Sequence, residues 1–190
     1  MRLFASITVL LAAAPFVLAT ACSAEDREGL AERCDEDNDV SACRAVAEMR
    51  LLGREGGKDK KGGRLAYEKA CKLGDAASCG TAGDLVYARR DGNARYWLQR
   101  ACEMEHAESC ADLAWMVEHG EGGPRDEQKG ERLYRLACEG GDATGCFFLA
   151  LRESSKDNAA AALSRACALG DRVACELSGR RASASAEPAR

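Results

Sequence analysis

Residues 67–79 read YEKACKLGDAASC, and this pattern returns down the chain. QRACEMEHAESC ends at Cys110, YRLACEGGDATGC at Cys146 and SRACALGDRVAC at Cys175. RCDEDNDVSAC, ending at Cys43, is a looser first copy. The first cysteines of the copies, Cys34, Cys71, Cys102, Cys138 and Cys167, are spaced by 29 to 37 residues. A period of that length belongs to repeated helical hairpins. Within a copy the two cysteines lie 8 apart, or 9 in the first. On one continuous helix, 8 residues span about 12 Å. A disulfide tolerates Cα separations only up to about 7 Å. A bonded pair therefore needs a turn between its members, and the sequence supplies one. Gly74-Asp75, Gly140-Gly141-Asp142 and Gly170-Asp171 each place a helix-stopping glycine before a helix-capping aspartate. In the third copy Glu105-His106 takes that place, a weaker turn.

The expected crosslinks are Cys34–Cys43, Cys71–Cys79, Cys102–Cys110, Cys138–Cys146 and Cys167–Cys175, each stapling the corner of a hairpin. Zinc is the competing use of these thiols, but structural zinc sites want ligands two to four residues apart. The chain has no C-x-x-C and only two histidines, His106 and His119. We expect no metal and no cofactor.

The hairpin arms follow from periodicity. Ala66, Tyr67 and Ala70, then Trp97, Leu98 and Ala101, then Leu133, Leu136 and Ala137 recur at helical spacing before the first cysteine, with charged residues between them. Four residues after the second cysteine the side chain is always small: Ala47, Gly83, Ala114, Ala150 and Gly179. That register lets a neighbouring helix approach closely. Trp97, Trp115, Phe147 and Phe148 are read as packing between repeats. GREGGKD at 53–59 and GEGGPRD at 120–126 are Gly-rich connections ending in a capping aspartate. The second and fourth connections lack such a turn.

Eleven cysteines are too many for an ordinary reduced enzyme, and the odd one is Cys22. It lies just beyond an uncharged run from Leu3 to Ala19 that begins after Arg2, the layout of an export signal. Leu18-Ala19-Thr20-Ala21-Cys22 resembles a lipoprotein signal, in which the cysteine is lipidated. The expected organisation is a signal peptide at 1–21, a tether at 22–27, a repeat solenoid at 28–180 and a disordered tail at 181–190. Among the 190 residues aromatics are 5%, which makes an aromatic-rich β-sandwich a poor fit. A net charge of −4 argues against nucleic acid as a partner.

The YEKACKLGDAASC copies together with GREGGKD and GEGGPRD resemble the Sel-one-like repeat family, a cousin of the tetratricopeptide repeat. The nearest branch is the secreted cysteine-rich one, with one disulfide per repeat. The resemblance spans about Glu28 to Arg180. It implies an all-α fold, a right-handed α/α solenoid of about five disulfide-stapled hairpins with a concave binding face. Some members of that branch are credited with binding or hydrolysing β-lactams.

Two functions follow. The first is an envelope-anchored or secreted scaffold that binds an envelope protein, a peptide or a peptidoglycan fragment, touching the membrane by its lipid alone. The alternative is a β-lactamase. No S-x-x-K, K-T-G, G-x-S-x-G, H-E-x-x-H or phosphate loop is present, so no catalytic residue can be named. A thiol–disulfide exchanger would need C-x-x-C. The scaffold is the preferred reading, with the departures from the repeat at Trp115 and Arg152 as candidates for ligand contact. The bacterial periplasm or envelope is the expected location.

Overall fold

The computed structural model describes residues 26–89 and 93–185. The leader, Cys22 and most of the tether lie outside the described residues, as do the last five residues of the tail. Ten helices make up the described chain, with no strand among them. They pair as α1 Arg27–Asp35 with α2 Val40–Leu52, α3 Lys60–Lys72 with α4 Ala76–Arg89, and α5 Ala94–Glu103 with α6 Ala107–His119. The series ends with α7 Glu127–Glu139 and α8 Ala143–Arg152, then α9 Lys156–Ala168 and α10 Arg172–Ser185. Each helix packs on the next along the chain, and α6 also meets α8. The fold is an all-α solenoid of five hairpins.

Two boundaries differ from the sequence reading. Asp26 caps α1, its Oδ1 accepting from the Gly29 amide at 2.7 Å, so the first helix starts inside the stretch read as tether. At the other end α10 runs on to Ser185, past the residue 181 at which the composition suggests a tail. Alanine and serine lengthen a helix cheaply once packing has nucleated it.

A disulfide closes every corner, with Cα–Cα separations from 4.3 to 4.7 Å. Cys43, Cys71, Cys79 and Cys146 are fully buried. The corners share one backbone solution. Gly74, Gly141 and Gly170 turn through the left-handed region at φ 102°, 92° and 99°. The cap that follows accepts a backbone N–H: Asp75 from Ser78 at 3.0 Å and Asp171 from Ala174 at 2.7 Å. The third corner reaches the same geometry with Glu105 at φ 63°. An L side chain there costs roughly 1–2 kcal/mol. Replacing Glu105→Gly is expected to stabilise the protein by about 0.5–1 kcal/mol, since glycine's extra unfolded-state freedom offsets part of the relief. A thermal melt that does not rise would count against this account of the corner.

The small residues four after the second cysteine sit where helices cross. Ala47 and Ala114 are fully buried. A Cβ added at Gly83 would stand 2.8 Å from Leu98 Cγ, and one at Gly63 would stand 3.0 Å from the Ala47 carbonyl. Gly179, on the last described helix, meets nothing within 4 Å among the described residues. Trp97 packs against three of the core clusters and ties the second and third hairpins together. Leu136, read as a core position, is 52% exposed, while Leu133 and Ala137 are buried. Position −2 from the cysteine falls on the outer side of the arm.

The two Gly-rich connections are held by arginines. Arg27 donates Nη1 to the Gly57 carbonyl at 3.2 Å, and its amide to Glu55 Oε2 at 2.8 Å. Arg95 donates to the carbonyls of Met116 at 2.7 Å, Pro124 at 3.0 Å and Gly123 at 3.3 Å.

Candidate functional site

Glu108, Asp112, Trp115 and His119 follow one another at intervals of four, three and four along α6. That spacing keeps them on one face of the helix. Glu108, Asp112 and His119 are exposed and Trp115 is half-buried. Alongside runs α4 with Gly80, Asp84 and Tyr87 in matching steps. A Cβ on Gly80 would stand 2.5 Å from Ser109 Oγ, so the two helices touch at their first turns. Two turns later Tyr87 meets Trp115 edge to face at 6.3 Å. Asp84 and Asp112 lie between these two contacts, on the same strip of surface.

Both carboxyls touch solvent, yet burial pushes each up to about 6, with Glu108 and, for Asp112, Asp84 and Asp142 adding like-charge repulsion. Each carboxyl keeps contact with solvent while neighbouring protein displaces part of its hydration. Among the described residues Asp84, Glu108 and Asp112 have no hydrogen bond or ion pair. Burial raises Asp142 as well, although its cap bond to Gly145 works against the shift.

These shifts have a measurable consequence. A carboxyl at 3.8 when unfolded and about 6 when folded makes the native chain bind more protons between those values. Stability then falls as pH climbs through that window, and the contribution is more favourable at pH 5 than at pH 7. We expect a higher melting temperature at pH 5 than at pH 7. The variant Asp84→Asn/Asp112→Asn is expected to flatten that difference and to melt higher than wild type at pH 7. An unchanged pH dependence in the double variant would refute it.

The strip is bounded on the α8 side by a packed ion pair. Arg152 grips Glu118 through both guanidinium nitrogens, Nε to Oε1 at 2.6 Å and Nη2 to Oε2. It also donates Nη1 to the Phe148 carbonyl at 2.7 Å. The guanidinium lies 4.7 Å from the Tyr134 ring centroid and 5.4 Å from that of Phe148. Burial, helped by the charge of Glu118, raises the Tyr134 hydroxyl, so it stays protonated beside the carboxylate at 3.4 Å. Arg152, a candidate ligand contact from sequence, is thus occupied in holding α6 to α8. Its partner lies 34 residues upstream, out of reach of local pattern.

His119 stacks on Trp115 with centroids 4.5 Å apart and hydrogen-bonds the Trp115 carbonyl through Nδ1 at 2.8 Å. It fixes the indole orientation at the edge of the strip. His106 stands 2.9 Å from Ser109 Oγ through Nδ1, a serine–histidine contact that the sequence motifs do not reveal. Its position explains it. His106 is the cap of α6, where Asp75 meets Ser78 in the preceding hairpin. Ser109 is 1% exposed, which closes its hydroxyl to a substrate.

Of the residues singled out from sequence, the structure brings Trp115 and His119 into the strip and puts the ten paired cysteines at the corners. Asp84 and Asp112 were not among them. The four-three-four spacing on α6 is the signal that could have found that helix's share. Among the described residues no group of three or more His, Cys, Asp or Glu could hold a metal ion. No described helix is long and apolar enough to cross a membrane. Five disulfides point to an oxidising, extracytoplasmic environment.

Comparison with known proteins agrees with this architecture. The family model described as Sel1 repeat matches residues 40–75, 91–106 and 107–142. Among solved structures, c5321, a protective antigen of uropathogenic Escherichia coli with an SLR fold, superposes at TM-score 0.72 and 20% identity over 81% of this chain. The chain spans only 36% of that antigen's length. A Sel1 repeat protein from Oxalobacter formigenes gives 0.67 at 20% identity, covering 81% of this chain and 69% of its own. Cysteine rich protein B of Helicobacter pylori gives 0.53 at 26% identity, over 63% of this chain and 95% of its own. No curated protein matches the sequence.

Proposed function

We propose that this chain, with its Sel1-repeat segments at 40–75, 91–106 and 107–142, is an extracytoplasmic scaffold that binds a partner protein or peptide on the Asp84–Trp115 face. The observation that carries this reading is the strip itself. Tyr87 is 43% exposed and rests on Trp115, next to carboxylates that have no partner within the described fold. Repeat solenoids present such extended surfaces because each hairpin adds one stripe to a continuous face. Aromatic side chains that combine apolar area with few rotatable bonds are the usual anchors of an interface.

In this reading residues 1–21 export the chain and a lipidated Cys22 holds it to the bacterial envelope membrane. The described Ser109–His106 contact is a helix cap whose serine is closed to solvent.

Selection of a displayed peptide library on the protein purified from an oxidising compartment tests the scaffold. Enriched ligands are expected to lose at least about tenfold in affinity with Trp115→Ala or Tyr87→Ala, at unchanged helical content. Ligands indifferent to both variants would overturn the assignment of the face. A peptidoglycan fragment outcompeting every peptide would replace the partner.

A further inference from the structure

The scaffold reading leaves open what chemistry the partner brings, and the electrostatics of the face answer that. Glu108, Asp112 and Asp84 are exposed acids on two adjacent helices, without hydrogen bond or ion pair among the described residues. Arg152, at the edge of the same surface, is already committed to Glu118. A partner that covered these acids with apolar or acidic surface would strip water from unpaired negative charge, at a large cost. A cationic partner supplies the missing counter-charge and relieves the repulsion among the carboxylates. The acids do not converge as a metal site does, because no described group of three could ligate an ion. Glu108 and Asp112 stand one turn apart on α6, with Asp84 across from them on α4. Successive carboxylates four apart on a helix stand about 5–6 Å from each other. Alternate residues of an extended peptide are separated by about 6–7 Å, which matches that interval. Tyr87 and Trp115 follow one turn beyond Asp84 and Asp112. The exposed Tyr87 ring, set against the indole on which His119 stacks, offers a surface on which the stem of a lysine or the plane of an arginine packs.

We propose that the face made by α4 and α6 docks an extended, basic segment of a partner protein, with alternate lysine or arginine side chains on Glu108 and Asp112, where Asp84 adds its charge from α4, and one cation against Tyr87 and Trp115. The proposal rests on the scaffold reading above and specifies its ligand. It commits to a peptide of about five or six residues, the length that spans the α6 stripe from Glu108 to His119 at about 1.5 Å per residue step.

Two fluorescein-labelled hexapeptides provide the test, Lys-Ala-Lys-Ala-Lys-Ala and its Glu-Ala counterpart, titrated by anisotropy against the oxidised protein at low salt. The basic peptide is expected to bind at least tenfold more tightly than the acidic one. Asp84→Asn/Asp112→Asn should weaken it at least tenfold, as should Trp115→Ala. The charge-matched control Glu127→Gln/Glu139→Gln, on α7, should change it less than twofold. Equal binding of the two peptides overturns the proposal, and so does equal weakening by the control pair. Circular dichroism of each variant confirms that the fold is kept, which the isosteric asparagine substitutions favour. The library selection separates the two levels. Ligands that depend on Trp115 but carry no basic residues refute the cationic segment and leave the scaffold intact. Ligands that ignore Trp115 and Tyr87 remove both.

Discussion

Reducing the five disulfides is expected to unfold the protein at 25 °C. Each bond closes a loop of nine or ten residues, worth roughly 2.5 kcal/mol by the loss of freedom it imposes on the unfolded chain. Five such corners sum to on the order of 10 kcal/mol, comparable with the whole stability of an ordinary domain, about 5–15 kcal/mol. The fold has little else to fall back on, because its packing is almost entirely between neighbouring helices. Far-UV circular dichroism with and without a strong reductant measures this directly. A reduced chain that keeps its helical signal and melts within a few degrees of the oxidised form would show that packing alone sustains the hairpins. Removing one internal pair, Cys71→Ala/Cys79→Ala, is expected to cost about 2–3 kcal/mol, or roughly 5–10 °C in melting temperature. The terminal Cys167–Cys175 pair, flanked by a hairpin on one side only among the described residues, should cost less.

The second large effect belongs to Arg152. Arg152→Ala removes a two-point ion pair with Glu118, a hydrogen bond to the Phe148 carbonyl and contacts with two aromatic rings. It leaves Glu118 half-buried without its cation, beside the Tyr134 hydroxyl. A loss of about 2–3 kcal/mol is expected, below the figure for a fully buried pair because water still reaches both side chains. A double-mutant cycle with Glu118→Gln should return a coupling above about 1 kcal/mol. Additive single effects would mean that Arg152 acts by packing and not through the carboxylate. Denaturant unfolding monitored on the helical signal supplies all four corners of the cycle.

The two effects were not equally visible in the sequence. The corners are legible because disulfide reach, glycine turns and aspartate caps are local rules acting over nine residues. The close-packed positions are legible for the same reason, since Ala47, Gly83 and Ala114 recur at a fixed distance from a cysteine. Glu105 announces itself only as a departure, and it takes the backbone to show that a glutamate occupies the left-handed conformation. Leu136 misleads because helical spacing alone does not separate a residue at the rim of the buried stripe from one inside it. The binding strip is the least legible part. Asp84 and Asp112 are 28 residues apart, and their meeting depends on how α4 and α6, which are not consecutive, come to lie side by side. The pairing of Glu118 with Arg152 across α6 and α8 escapes local pattern in the same way.

The arginines that hold the Gly-rich connections bear on how such a molecule can lengthen. Arg27 and Arg95 are 68 residues apart, and each grips the long connection that closes its own hairpin. Between them, and again after α8, fewer residues separate one hairpin from the next. The translational unit is therefore a pair of hairpins carrying one long clamped junction and one short junction. Inserting a single hairpin would set two junctions of one kind in succession and put the clamp out of phase with its loop. Insertion of about 68 residues would keep every junction in its own context. The growth quantum of this solenoid is thus the tandem, a step of two repeats.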